Sequence, residues 1–182
     1  RNEYMIERMK RLLTRTIWAL TKQLEAGDFV PVAYEMRFEN GKIDRVDLCK
    51  DKDKVYVKVL DYKTGSKAFD VVALYHGLQL QLMVYMDAAV KMTQKHYPDS
   101  EVIPAGVFYY RLNDPLVEKK VVGEEEEIWQ KVLKELKVDG VMNLKDETLE
   151  HLDHCQAGES AVIPVKYNKN GSLSKNSKVA SE

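Results

Sequence analysis

The chain has 182 residues, of which 45% are hydrophobic and 31% are charged, and its formal net charge is −1. This length is sufficient for one domain with a buried core. A net charge near zero excludes a strong overall positive potential that would attract nucleic acid, although a local basic groove remains compatible with it. No apolar run approaches the ~18 residues of a membrane span, so we expect no membrane partner. Cys49 and Cys155 lie far apart without CxxC spacing and predict reduced thiols in a cytoplasmic protein.

The hydrophobic pattern predicts a mixed β-sheet flanked by helices. Apolar residues at helical spacing predict a first helix over 3–26. Strands follow at 32–38, with Tyr34, Met36 and Phe38 on its apolar side, and at 42–48, joined through the hairpin signal Asn40-Gly41. The later predicted elements are a strand at 55–63, a helical stretch over about 69–95, strands at 102–112 and 115–122, and helices at 124–137 and 145–154.

The hairpin of the second and third predicted strands brings two acids together. If its turn is centred on Lys52-Asp53, residue 46 faces residue 59 and Asp44 faces Asp61, with their Cβ atoms about 5 Å apart. Both acids continue an apolar, core-facing stripe, and Lys63 shares the face of Asp61 because side chains two apart in a strand point the same way.

Two facing carboxylates on a buried face repel each other and lose hydration, so they require a compensating cation. A divalent ion such as Mg²⁺ takes one or two carboxylates together with water and phosphate oxygens. Lys63 beside that ion then suits Lewis-acid hydrolysis of a phosphodiester. From spacing alone, a structural ion pair in which Lys63 neutralises both acids is the more common arrangement, and both interpretations stay open.

Gln81 and Tyr85 add a polar pair to the helix that follows. They are separated by four residues and therefore lie on one helical face. Their neighbours are apolar, so this pair needs polar partners, and the acids of the hairpin are near in the predicted order. The alternative is a helix edge whose polar groups satisfy each other.

Three segments in this order and spacing, GKIDRVD (41–47), VLDYKTG (59–65) and QLMVY (81–85), resemble the motifs of the RecB-like branch of the PD-(D/E)xK nuclease superfamily. The tail GESAVIPVKYNKNGSLSKNSKVASE is similar to the C-terminal nuclease domain of the B subunit of bacterial AddAB-type helicase–nucleases. The resemblance implies a restriction-endonuclease-like core at 1–140 and a partly irregular C-terminal extension at 141–182, within a fragment of a larger subunit.

The same resemblance implies roles for individual residues in the hairpin. Asp44 and Asp61 match the divalent-metal ligands of the family, and the main-chain carbonyl of Tyr62 is expected to be a further ligand. Lys63 matches the catalytic lysine. The implied cofactor is Mg²⁺, with Mn²⁺ as a substitute.

Outside the hairpin, Gln81 and Tyr85 match the QxxxY pair that assists at the site or holds the DNA strand. Glu35 lies on the preceding strand and, if the first hairpin is tight, faces the same side as Asp44. We therefore expect it either to serve as an accessory metal-binding acid or to pair with Arg37 or Arg45.

The chain departs from the family pattern in two ways. The family's metal-binding histidine precedes the first motif, but all four histidines here follow it, so that ligand is absent or lies outside this chain. The family's B subunits also hold an iron–sulfur cluster through four cysteines. Cys49 and Cys155 match neither that number nor that spacing, so the cluster is expected elsewhere in the parent subunit, outside this chain. His151, His154 and Cys155 suggest a metal trio, although the pattern favours an exposed helix face.

With the acids and lysine of the hairpin, the resemblance implies a Mg²⁺-dependent deoxyribonuclease that acts as an exonuclease on unwound DNA strands. The parent would pair with a helicase–nuclease A subunit to process double-strand breaks for recombinational repair in the bacterial cytoplasm. Two alternatives are a catalytically silent DNA-binding or scaffolding module of the same fold and a standalone RecB-like nuclease.

Overall fold

A five-stranded mixed sheet organises the molecule. The computed structural model describes residues 2–39, 41–65, 69–77, 79–112, 125–174 and 177. In chain order the elements are α1 (Asn2–Glu25), β1 (Val30–Phe38), β2 (Gly41–Asp51), β3 (Lys54–Lys63), α2 (Val71–Tyr75), α3 (Gln81–His96), β4 (Glu101–Arg111), α4 (Glu125–Glu135), β5 (Asp139–Met142), α5 (Asp146–Leu152), β6 (Gly158–Glu159) and β7 (Lys166–Tyr167). The main sheet has the order β1-β2-β3-β4-β5, in which β3 and β4 are parallel and the other neighbours are antiparallel. The predicted mixed sheet with flanking helices is confirmed.

One face of the sheet packs against α3. Alternate residues of β2 and β3 form its apolar surface because successive side chains of a strand point to opposite faces. Leu82, Tyr85 and Ala89 of α3 are buried against this surface. The buried strand residues in the cluster are Ile43, Val46, Leu48, Val55, Val57, Val59, Val107 and Tyr109. The apolar stripe predicted for the hairpin is therefore confirmed.

The opposite face is covered in part by the C-terminal third of the chain. Phe108 and Tyr110 of β4 are fully buried there, together with Leu149 of α5 and Ile163 and Val165 beyond it. Residues after 141 thus contribute to the core, and the division into a core and an extension at residue 140 stays a prediction.

Several predicted elements differ from the observed ones in bounds or continuity. The helical stretch predicted over 69–95 is interrupted between α2 and α3, because Gly77 has φ 76°, a left-handed conformation that glycine adopts readily and that ends a helix. The strand predicted at 115–122 lies outside the described residues. β5 was not predicted, since it has only four residues and follows a stretch with a weak pattern.

The first strand also departs from regular alternation. Glu35 has φ 51°, and Tyr34 and Glu35 are consecutive exposed residues. Tyr34 is 65% exposed and does not lie on the apolar side as predicted, whereas Met36 and Phe38 do pack against the α3-side core. A local backbone irregularity thus changes which side chains face inward.

None of the helices in the described part of the chain combines the length and apolar character needed to cross a bilayer.

Candidate active site

The pairing of β2 with β3 brings Asp44 beside Asp61. The register includes Val46 opposite Val59, as predicted, and continues to Arg45 opposite Leu60. Asp44 and Asp61 are the next residues along these two strands. The backbone N–H of Tyr62 donates to Oδ2 of Asp44 at 2.9 Å, which holds this carboxylate against the end of β3.

Asp61 is the buried member of the acid pair, with 4% of its surface exposed. The Lys63 ammonium lies 2.6 Å from its Oδ2. That oxygen nevertheless has no well-aligned hydrogen bond from any described residue, so the contact is an ion pair of incomplete geometry. Burial raises the pKa of Asp61, and repulsion from Asp44 adds to the rise, while Lys63 opposes it. The carboxylate is therefore short of positive charge.

Lys63 lies between this carboxylate and an aromatic ring. Its Nζ is 5.2 Å from the ring centroid of Tyr109, which is paired with Asp61 across β3 and β4. Burial lowers the pKa of Lys63, but the close ion pair with Asp61 outweighs that effect and the pKa is raised. Lys63 is thus a cation at neutral pH. We refer to Asp44, Asp61 and Lys63 as the acidic cluster.

Gln81 and Tyr85 lie on α3, which packs over the same face. Nε2 of Gln81 donates to the Tyr85 hydroxyl at 2.6 Å, and the Tyr85 ring packs edge-on against Phe38. Tyr85 also acts electrostatically on the pKa of Lys63, so the two side chains are neighbours. The pair therefore combines both alternatives drawn from the sequence, since its members satisfy each other and stand beside the acidic cluster.

Glu35 is an exposed residue that forms a surface ion pair. Its side chain is 76% exposed and its carboxylate lies 2.9 Å from Lys42 Nζ. The hydrogen bond from Lys42 lowers its pKa, and Arg37 contributes only through charge. The structure thus gives Glu35 an ion-pair partner, Lys42, that the sequence did not suggest.

A second ion cluster lies on the other face of the same hairpin and was missed in the sequence. Asp47 is fully buried and receives Arg45 Nε at 2.6 Å on Oδ1 and Arg45 Nη2 at 2.7 Å on Oδ2. Lys58 Nζ lies 3.1 Å from Oδ2. We refer to Arg45, Asp47 and Lys58 as the basic cluster. The available signal was the Arg-x-Asp spacing within the GKIDRVD segment, which places Arg45 and Asp47 on one strand face.

The basic cluster also contacts the predicted site. Nη1 of Arg45 lies 3.4 Å from the hydroxyl of Tyr62, whose ring packs edge-on against Tyr110. Tyr62 is therefore held through its side chain by the basic cluster and through its backbone N–H by Asp44.

The acidic cluster has a donor set that fits a hard divalent cation. Two carboxylates and a neighbouring backbone carbonyl are the oxygen ligands that Mg²⁺ prefers. The incompletely bonded Oδ2 of Asp61 and its raised pKa indicate an acid pair that additional positive charge would stabilise. The residues present thus fit a divalent metal.

Comparison with known proteins agrees with these features. The model of the PD-(D/E)XK nuclease superfamily matches residues 1–165. Proteins named as the B subunit of an ATP-dependent helicase/deoxyribonuclease are 42% identical in Lachnoclostridium phytofermentans, 34% in Alkaliphilus oremlandii and 31% in Thermoanaerobacter sp. (strain X514). Each alignment covers 100% of this chain but only 17% or 18% of the relative, so the chain spans less than a fifth of their length. The chain therefore belongs to the PD-(D/E)XK nuclease superfamily.

Proposed function

We propose that this chain is the deoxyribonuclease domain of a helicase–nuclease B subunit and that it hydrolyses phosphodiester bonds of DNA with Mg²⁺. The observation that carries the proposal is the acidic cluster, in which buried Asp61 and partly buried Asp44 stand beside a single lysine. Its support is the family membership of the chain and the names of the relatives.

In this proposal Asp44, Asp61 and the main-chain carbonyl of Tyr62 hold the metal ion. Glu35 is an accessory acid that would first have to leave Lys42. When bound, Mg²⁺ supplies a Lewis acid for the scissile phosphate and its attacking water. Mn²⁺ is expected to substitute, since carboxylate, carbonyl and water ligands suit both ions.

The remaining proposed residues act on the substrate. Lys63 is a cation that orients the attacking water or stabilises the charge that develops on the phosphate oxygens. Gln81 and Tyr85 hold the DNA strand over the site by exchanging their mutual hydrogen bond for bonds to the sugar–phosphate backbone. Tyr85 is largely buried and also packs against the sheet, so part of its role is to position α3.

In the proposed setting, this domain acts as an exonuclease within a B subunit. The domain degrades single strands of DNA while the B subunit and a partner A subunit unwind the duplex. This activity would process double-strand breaks for recombinational repair in the bacterial cytoplasm. The relatives named as B subunits of a helicase/deoxyribonuclease support this setting. An iron–sulfur cluster is proposed for the parent, outside this chain.

The test is cleavage of end-labelled single-stranded DNA by the full-length parent protein with Mg²⁺ or Mn²⁺. Wild type is compared with Asp61→Ala and Lys63→Ala, and Lys91→Ala serves as a control because Lys91 is an exposed lysine of α3 paired with Asp87. We expect cleavage in wild type and the control only. Equal cleavage in all four proteins would overturn the assignment.

Two further measurements complete the test. Resistance of circular single-stranded DNA is expected of an exonuclease, whereas its cleavage would indicate endonuclease action. Titration calorimetry with Mn²⁺ should show binding that Asp61→Ala abolishes. A wild-type protein that binds DNA but neither Mn²⁺ nor Mg²⁺ would instead be a silent DNA-binding module.

A further inference from the structure

A second group of potential metal ligands lies at the far end of β2. Asp28, in the turn between α1 and β1, is bonded to His151 in the last turn of α5 and to His154 just beyond that helix. Its Oδ2 lies 2.8 Å from Nδ1 of His151, and its Oδ1 lies 2.9 Å from Nε2 of His154. Cys49 of β2 completes the group, since one ligand atom each from Asp28, Cys49 and His151 lie within 4.8 Å of one another.

The group is built into the fold by backbone contacts. The N–H of Asp28 donates to the carbonyl of His151 at 2.8 Å, and the N–H of His154 donates to the carbonyl of Ala26 at 2.7 Å. The turn approaches α5 so closely that a Cβ on Gly27 would lie 2.4 Å from the His151 carbonyl oxygen. The ring of Tyr56 packs against His151 with centroids 4.9 Å apart. These contacts hold both histidines beside Asp28.

This group is separate from the acidic cluster. Cys49 is five residues from Asp44 along β2, which is about 17 Å at the usual rise per residue. Cys49 packs in the core on the face opposite α3, whereas the neighbouring stripe of Val46 and Leu48 faces α3. The two sites therefore lie at different ends and on different faces of the sheet.

The ligand chemistry also differs between the two sites. Imidazole and thiolate are ligands of Zn²⁺ and related borderline-soft ions, and four such ligands give the tetrahedral arrangement of structural zinc sites. Mg²⁺ prefers oxygen ligands and would not select a thiol. Ligand bonds of about 2.0–2.3 Å require donor atoms roughly 3.3–3.8 Å apart. The ligand atoms of Asp28, Cys49 and His151 already lie within 4.8 Å of one another, so small side-chain shifts bring these three to that geometry, and His154 is held beside them by Asp28.

We propose that Asp28, Cys49, His151 and His154 bind a structural transition-metal ion of the Zn²⁺ class. The ion ties the end of α5 and the α1–β1 turn to β2. On binding, a metal–sulfur bond replaces the S–H bond of Cys49, and the thiol proton passes to solvent. Each ring nitrogen that faces Asp28 becomes a metal ligand in the neutral tautomer that carries its hydrogen on the other ring nitrogen, and a histidine that is protonated on both nitrogens releases one proton to solvent. The carboxylate of Asp28 remains as an anionic ligand.

The test uses chelator-treated protein and two probes, Zn²⁺ and Co²⁺. We expect one equivalent of Zn²⁺ to bind and to raise the thermal unfolding temperature. Co²⁺ should give the near-ultraviolet charge-transfer band of a cobalt–thiolate bond and visible bands of tetrahedral cobalt. Absence of the cobalt–thiolate band, or Zn²⁺ binding without stabilisation, would overturn the proposal.

Matched variants locate the metal. Cys49→Ser should abolish the cobalt–thiolate band, whereas Cys155→Ser should leave it unchanged. His154 is half exposed, so His154→Ala should fold. Loss of a residue that only hydrogen-bonds a metal ligand typically weakens metal binding by roughly 10- to 100-fold. Loss of the ligand His154 should weaken Zn²⁺ binding by at least that much. His96→Ala, at an exposed position at the end of α3, is its control.

The remaining outcomes also decide the question. A band that persists in Cys49→Ser, or equal Zn²⁺ affinity in His154→Ala and wild type, would overturn the site. If Cys49→Ser does not fold, His154→Ala alone decides. All measurements are repeated with Asp61→Asn, which removes a proposed Mg²⁺ ligand. Zn²⁺ affinity that is unchanged by Asp61→Asn supports the new site, whereas its loss would place the bound Zn²⁺ in the acidic cluster.

Discussion

The β2–β3 hairpin carries two ion clusters with opposite charge balance. The basic cluster sets two cations around one acid, and the acidic cluster sets two acids beside one cation. In the basic cluster both oxygens of Asp47 receive charged donors. In the acidic cluster Oδ2 of Asp61 lacks a well-aligned hydrogen bond from the described residues.

The difference indicates which cluster the fold completes by itself. Burial of charges is tolerated when each is paired and hydrogen-bonded, which is the condition of Asp47. The acidic cluster keeps an uncompensated negative charge, and burial together with Asp44 raises the pKa of Asp61. We therefore expect substitutions in the basic cluster to affect folding and those in the acidic cluster to affect metal binding and cleavage.

The largest expected effect is on cleavage by Asp61→Asn. Loss of a metal ligand removes several kcal/mol of transition-state stabilisation, which lowers the single-turnover rate on the order of 10³-fold or more. The free energy of unfolding without metal should be unchanged or higher, because the charge of Asp61 is disfavoured in the metal-free fold. Asp87→Asn, an exposed acid of α3, is the control. A wild-type cleavage rate in Asp61→Asn would contradict the assignment of metal binding and cleavage to the acidic cluster.

The second-largest effect is expected on the free energy of unfolding, in Asp47→Ala. Removal of this acid leaves Arg45 and Lys58 buried without their counterion, and such a loss typically costs about 3–5 kcal/mol. Urea unfolding followed by circular dichroism measures it. Asp87→Ala should change the free energy of unfolding by less than about 0.5 kcal/mol. A loss from Asp47→Ala as small as that of the control would show that the basic cluster is not required for folding.

A smaller effect is expected on the pH dependence of the free energy of unfolding, in Lys58→Met. Burial lowers the pKa of Lys58 below its usual 10.5, although Asp47 opposes this shift. The unfolded chain then binds the proton more tightly, so wild type loses stability as pH falls from 10.5 through the folded pKa. Lys58→Met removes this dependence and should be neutral or more stable than wild type by about 1 kcal/mol at pH 7, since Arg45 still holds Asp47.

Urea unfolding at a series of pH values between 7 and 11 checks this prediction. The stability advantage of Lys58→Met over wild type should shrink as the pH approaches 10.5. Lys91→Met, which removes an exposed lysine, should run parallel to wild type throughout. An advantage that grows with pH would reverse the sign expected for a buried lysine.

The smallest effect is expected for Glu35→Gln. Glu35 is exposed and paired with Lys42, so its neutralisation should slow cleavage by less than about tenfold, or about 1.4 kcal/mol. The single-turnover assay used for Asp61→Asn measures it. A loss as large as that of Asp61→Asn would make Glu35 a full member of the ligand set, and no loss at all would remove it from the set.

Local patterns in the sequence determined the hairpin and its acid pair. Alternating valines assign the inward face, and a short polar turn sets the register, so the position of Asp44 beside Asp61 follows from counting. Lys63 shares the face of Asp61 because strand side chains two residues apart point the same way. Gln81 and Tyr85 share a helical face because they are four residues apart. These features depend on residues near one another in the chain, where backbone geometry limits the alternatives.

Contacts between distant segments were decided only by the tertiary structure. The pairing of Lys58 with Asp47 follows from the hairpin register, but the packing of Phe29 against Lys58 comes from outside the hairpin. Asp28, Cys49 and His151 meet because the α1–β1 turn docks on α5, more than a hundred residues away. The sequence by itself therefore determined what hairpin geometry can place, and the packing of helices on the sheet decided which remote polar groups share a site.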